Sequence, residues 1–152
     1  MDEAAVRALA GAGIAFGVIA TIIGIIAYVM FSLGLMTLAK NKGIANAGLA
    51  WIPIANLYIL GKIVETVDIG TLKIQRLDII LPVSVLAMWV LGLIPVIGWI
   101  LSIAYAIFLG FVLHKLFLKY RPAQAVLYTV LSIVLGLIWI FVFIIRNDQE
   151  TM

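Results

Sequence analysis

An all-α, polytopic helical membrane protein is the fold class this sequence predicts, with four crossings plus a re-entrant or Pro-kinked element and five crossings as the alternative. Three observations carry the reading. Of the 152 residues, 66% are hydrophobic and 11% charged, and the mean hydropathy is +1.27, far from the usage of a water-soluble domain. Charge-free runs occupy 8–39, 43–61, 79–113 and 122–145, and about 20 apolar residues suffice to cross a hydrocarbon core of about 30 Å. The basic residues fall in the short gaps between the runs, as membrane topology requires. Residues 1–152 read as a single integral membrane domain.

The first run, 8–39, reads as a permanent span and not as a cleaved leader. "MDEAAVRALA" places two acids before its arginine, and the run is too long for a signal-peptide core. Gly13, Gly17, Thr21 and Gly24 form a small-residue ridge with one GxxxG, which lets another helix approach closely. Packing within the chain is the expected use, with self-dimerisation as the alternative. Lys40, Lys42 and Gly43 mark the first turn.

The second run, 43–61, contains "WIPIANLYILGK". Pro53 cannot donate to the carbonyl of Leu49, so a helix through it kinks or stops. Asn56 is a good N-cap, able to accept from the amides that open a new helix. The pair therefore predicts one half-helix ending and another beginning, in a re-entrant turn or a kinked crossing. Residues 62–78 mix Lys62, Glu65, Asp68, Lys73, Arg76 and Asp78 with aliphatic residues, which reads as an interfacial segment divided at Gly70. The third run, 79–113, is too long for one crossing at about 1.5 Å per residue and reads as a hairpin turning near Pro95 to Gly98. The fourth run, 122–145, reads as one plain helix.

Short repeats support this division. "LGLI" occurs at 91–94 and at 135–138, and Ile52, Pro53 and Asn56 align with Ile94, Pro95 and Gly98. The third copy has Trp139 where the second has Pro95, hence two broken elements and one plain helix. If 43–61 turns back and 79–113 is a hairpin, all lysines and arginines except Arg7 and Arg146 share one face. That distribution favours four crossings with both termini outside.

The absence of cysteine excludes disulfides, thiolate nucleophiles and cysteine-held metals. The net charge of +3 is spread over short loops, with no tract for a nucleic acid to grip. Ser32, Ser84, Ser102 and Ser132 have no evident base, and no phosphate loop or HExxH occurs, so a non-enzymatic protein without cofactor or metal is expected. His114 reads as an interfacial side chain, and Glu65, Asp68 and Asp78 read as solvated loop charges. Lys40, Lys42, His114, Lys115, Lys119 and Arg121 could hold anionic lipid headgroups. Pro53, Asn56, Pro95 and Gly98 are the helix-break positions at which a ligand could bind, since discontinuous helices build substrate sites in transporters.

Residues 39–146 resemble an uncharacterised family of small prokaryotic multi-spanning membrane proteins. Lys42, Gly43, Trp51, Ile52, Pro53, Asn56 and Tyr58 match its Lys-Gly turn and Ile-Pro-x-x-Asn stretch, and Ile94 with Pro95 matches a second copy. The departure is Gly98, where the second copy often has asparagine. The resemblance implies a multi-pass protein of the prokaryotic cytoplasmic membrane and supplies no activity or catalytic residue. The expected function is a membrane scaffold or regulator engaging lipids, a membrane-protein partner or a second copy of itself. A small oligomeric transporter or channel using the two helix breaks is the alternative.

Overall fold

With no proline and no charge between Ala8 and Ala39, nothing interrupts the first helix. In the computed structural model, which describes residues 2–151, α1 runs Glu3–Asn41. It ends on a Schellman turn: the Ile44 amide donates to the Ala39 carbonyl at 2.8 Å, and that of Gly43 to Lys40 at 3.0 Å. Gly43 supplies the positive φ, +69°, that this cap requires. The described residues form six α-helices and two short strands. α1 and α4 (Pro95–Tyr120) are the two long and apolar enough to cross a membrane.

Between these two helices the chain makes a short excursion and returns. A 3₁₀ turn, Ala47–Trp51, lies along α1, where the Tyr28 hydroxyl donates to the Trp51 carbonyl and Trp51 Nε1 donates to Met36 Sδ at 3.4 Å. The chain turns at Ile52–Ile54, and α2 (Ala55–Val64) carries it back until the Ile63 carbonyl lies 3.1 Å from Lys42 Nζ. Tyr28 to Lys42 is 14 residues of helix, about 21 Å, so the excursion runs out and back beside the C-terminal part of α1. Pro53 therefore breaks the helix as expected. Asn56, however, is not the N-cap: Ile54, at φ +71°, takes that position, and Asn56 lies in the first turn, its amide bonded to the Ile52 carbonyl at 2.9 Å.

The segment 62–78, expected to lie along the interface, contains a β-hairpin, an addition to the all-α reading. β1 (Val67–Ile69) pairs antiparallel with β2 (Leu72–Ile74), and Gly70, at φ +61°, opens the two-residue turn. Alternation of side chains suits a strand, and the hairpin closes the gap between the ends of α2 and α3 (Leu77–Leu91).

α3 and α4 form the expected hairpin, but the turn is Gly92–Ile94, just before Pro95. Gly98 is in the first turn of α4, not in the bend. A Cβ there would meet the Gly92 carbonyl oxygen at 2.9 Å, so what this position needs is a small residue. Pro95 opens α4, where its missing amide donor removes no bond.

The run 122–145 is not one plain helix. α5 (Ala125–Leu135) ends at Gly136, φ +66°, and α6 (Ile138–Ile145) turns back along it. Tyr128 of α5 stacks on Phe141 of α6 at 4.3 Å between centroids, and Phe117 of α4 meets both edge-on. The second "LGLI", at 135–138, is thus a helix break like the first, made by glycine without proline.

Burial concentrates where these pieces meet. Leu35, Leu38, Ile59, Ile63, Leu77, Leu81, Leu116, Phe117, Val142 and Ile145 form the core. α1 crosses α6 at Gly34 and α2 crosses α3 at Gly61, whose Cβ would lie 2.3 Å from the Asp78 nitrogen. By contrast, residues 3–26 of α1 are exposed throughout. The ridge expected to pack within the chain does not: nothing lies within 4 Å of a Cβ at Gly13, Gly17 or Gly24, and the Thr21 hydroxyl bonds only back to Gly17.

Candidate functional site

Four chain ends converge at one pole of the molecule: the C-termini of α1, α2 and α4 and the segment after α6. Each brings a charged residue. Lys42 caps α1. Glu65, at φ +70°, closes α2 in a γ-turn in which the Thr66 amide donates to the Val64 carbonyl at 2.9 Å. Lys119 and Arg121 end α4. Asp148 and Glu150 follow α6, tied down by Asn41 Nδ2 donating to the Arg146 carbonyl at 3.0 Å and by the Thr151 amide donating to the Lys119 carbonyl at 2.8 Å.

The charges interlock. Lys42 Nζ lies 2.7 Å from Glu65 and 3.1 Å from Glu150, and Lys119 Nζ lies 3.0 Å from Glu150 and 3.7 Å from Glu65. Both ammonium groups also donate to the Ile63 carbonyl, at 3.1 and 3.3 Å, where the C-terminus of α2 favours a cation. The lysine side chains are well covered, 18% and 9% exposed. Arg121 grips Asp148 through Nε and Nη2, with Nη1 donating to the Tyr128 hydroxyl at 3.3 Å. A forked guanidinium–carboxylate pair is stronger than a single contact.

These contacts set the protonation states. Burial disfavours the charge on Lys42, but bonding with Glu65 and Glu150 outweighs it and raises its pKa. The Lys42 contact holds Glu65 below the usual carboxylate range. For Glu150 burial acts upward, and the two lysines overcome it and lower the pKa. Bonding to Asp148 raises that of Arg121. A cavity of about 500 Å³ adjoins the cluster, lined by Asn41, Lys42, Tyr120 and residues 147–150.

Of the six residues expected to face lipid headgroups, Lys42, Lys119 and Arg121 are thus held by the chain's own carboxylates. Lys115 lies 3.8 Å from Asp68, and His114 Nδ1 lies 3.3 Å from Thr129 Oγ1. Lys40 is exposed and has no ion pair among the described residues. Glu65 and Asp68 pair with bases while staying more than half exposed, as solvated loop charges do, whereas Asp78, 16% exposed, meets Lys62 at 3.2 Å and is the one largely covered. The C-terminal acids also overturn the expected placement of Arg146 and its neighbours opposite Lys42 and Lys119. The cause is the break at Gly136, which returns the chain to the pole it left.

The two helix-break sites are separate features. Gly98 lines an open cleft of about 440 Å³ with Met88, Gly92, Trp99, Leu101 and Ser102, all from the α3–α4 hairpin. Asn56 is half-buried in the other hairpin, and no hydrogen bond to its side-chain amide occurs among the described residues. Ser84 and Ser102 donate to backbone carbonyls, while the buried hydroxyls of Ser32 and Ser132 have no partner among the described residues.

Sequence reasoning missed the roles of Asp148, Glu150 and Thr151. The signal available was that the terminal acids, like the loop bases, follow an apolar run. Comparison with family models, curated proteins and solved structures finds nothing that matches this chain.

Proposed function

We propose that this chain is a non-enzymatic, multi-pass scaffold or regulator of the prokaryotic cytoplasmic membrane that engages membrane partners through the outer part of α1 and anionic lipid at its charged pole. The observation that carries the reading is the unpartnered stretch of α1. Residues 3–26 are exposed, among them Ile14, Phe16, Ile19, Ile22 and Ile25, and the small-residue ridge lies along the same stretch. Lipid covers such a surface, and glycines on it let a second helix come close.

The proposed topology has α1 and α4 crossing, and α3, whose 15 residues reach about 22 Å, crossing as the other arm of the α4 hairpin with the Gly92–Ile94 turn making up the length, while 43–64 and 122–145 enter from the charged pole and return. This differs from four crossings in sending the last run back. It places every lysine and arginine except Arg7 on one side, a stronger bias than the four-crossing arrangement gives, and that side is then cytoplasmic.

Extraction from native membranes into polymer-bounded discs, followed by mass measurement, tests the partner reading. The expected particle holds more than one chain, or one chain with a stoichiometric partner, and Gly17→Ile reduces it to a single chain. A solitary wild-type monomer would sink the scaffold reading.

A further inference from the structure

We propose that Lys42, Lys119 and Arg121 form a binding site for a phosphate group, and that Asp148 and Glu150 of the C-terminal segment occupy it as an intramolecular ligand. The inference rests on the lipid-engaging part of the function proposed above and adds the regulation of that site.

The first argument is charge. Lys42 and Lys119 share Glu65 and Glu150, and Arg121 holds Asp148 two residues before Glu150 on the same segment, so that, apart from that segment, Glu65 is the carboxylate in contact with these cations. With the segment withdrawn, three positive groups face one negative group. Lys119 in particular is too well covered to be satisfied by water, and a covered charge without a partner is costly. Without the segment, Lys119 keeps the Ile63 carbonyl at 3.3 Å and Glu65 at 3.7 Å, so an anion that takes the place of Glu150 restores its closest charged partner.

The second argument is geometry. The Arg121 fork that grips Asp148 fits a phosphate equally well. Lys42 and Lys119 both reach one carboxylate, that of Glu150, from two sides, the arrangement a multi-oxygen anion fills. The third is that the segment can be exchanged. Asn147, Gln149 and Glu150 are exposed, and the core ends at Ile145. Withdrawal therefore uncovers little apolar surface, and the cavity beside the segment opens onto Lys42. The phosphate could belong to a lipid headgroup or be free in solution, since the pole lies where α1 and α4 both end.

The test uses full-length protein with Gln149→Cys as the sole cysteine, carrying a nitroxide, in phosphatidylcholine nanodiscs. Phosphatidic acid is introduced into the discs in one arm. Inorganic phosphate is added in the other, against chloride at matched ionic strength. The label is expected to become mobile with phosphatidic acid, with phosphate, or with both, and not with chloride. A response to the lipid alone assigns a headgroup, and one to inorganic phosphate alone assigns a soluble anion. Combined Asp148→Asn and Glu150→Gln should free the label without ligand. They should also tighten phosphate binding about tenfold, as removal of a competitor that fills the site about nine-tenths of the time requires. Arg121→Gln in that background should abolish the gain. A label immobile under every anion, or equally mobile in chloride, overturns the proposal. The wild-type titration decides it even if the substituted chains misfold. Because discs of defined lipid contain no partner, this result stands apart from the mass measurement.

Discussion

Gly34, Gly61 and Gly110 are pressed upon by neighbouring helices, as Gly98 is by the α3–α4 turn, while Gly13, Gly17 and Gly24 face no other described part of the chain. All seven lie in apolar stretches, and spacing within one helix does not state which face meets a neighbour. The GxxxG pattern therefore drew attention to the wrong helix end for internal packing. Gly61 is the most confined: an added Cβ would lie 2.3 Å from the Asp78 nitrogen and 2.4 Å from the Leu77 carbonyl. Those are backbone atoms, so α2 and α3 must separate for any side chain to fit. Gly61→Ala is expected to lower stability by about 1–3 kcal/mol, the usual range for overpacking. Gly13→Ala meets open space and should leave stability unchanged or raise it through helix propensity. Tryptophan-monitored melting in detergent checks both. Equal Tm values for the two variants would show that the α2–α3 crossing is looser than described here.

At the scale of elements, helix ends were more legible than their consequences. The apolar runs, the Lys42–Gly43 turn, the stop at Pro53 and the reversal before Pro95 all follow from residues with a single backbone meaning. The break at Gly136 did not, because a glycine without proline inside an apolar run is also tolerated in a continuous helix. "LGLI" is in both copies the end of a helix, Gly92 closing α3 and Gly136 closing α5. The segment 146–151 carries no motif of its own, and its acids acquire partners only through that second reversal. Its attachment should depend on pH. Glu65 and Glu150 titrate below their ordinary value of 4.5 in the fold, so their contribution is complete above that value and is lost as pH falls through the lowered ones. Lys42 titrates above its ordinary 10.5, so its contribution is complete below 10.5 and fails only in stronger base. Lys119 titrates below its ordinary 10.5, because burial and the neighbouring Lys42 disfavour its charge, so its hold on Glu150 is the first to fail as pH rises. A nitroxide at position 149 is therefore expected to be immobile from about pH 5 through neutrality and to loosen in acid below 4.5. Loosening centred near neutrality would mean that groups other than these carboxylates hold the segment.

For the whole molecule, the question is how many times the chain crosses. Counting bases by loop identified one cationic pole, and the structure gathers that pole from the ends of α1, α2 and α4, adding Arg146 and the acids beyond it. Charge-free length alone could not separate a crossing from a hairpin that enters and returns, because both keep their backbone bonds internal and their side chains apolar. The helix lengths favour a hairpin for the last run. α5 and α6, with 11 and 8 residues, reach about 16 and 12 Å at 1.5 Å per residue, against about 30 Å of hydrocarbon. Since the chain has no cysteine, single cysteines report sidedness cleanly. Lys73→Cys, Ala123→Cys and Gln149→Cys should react with an impermeant maleimide from the same side of sealed vesicles, and Ala5→Cys and Leu93→Cys from the other. All five positions are exposed, so a failure to label reports the membrane and not burial in the fold. If positions 123 and 149 label from opposite sides, the run 122–145 crosses, and the charged pole with its C-terminal ligand cannot exist in the membrane as built here.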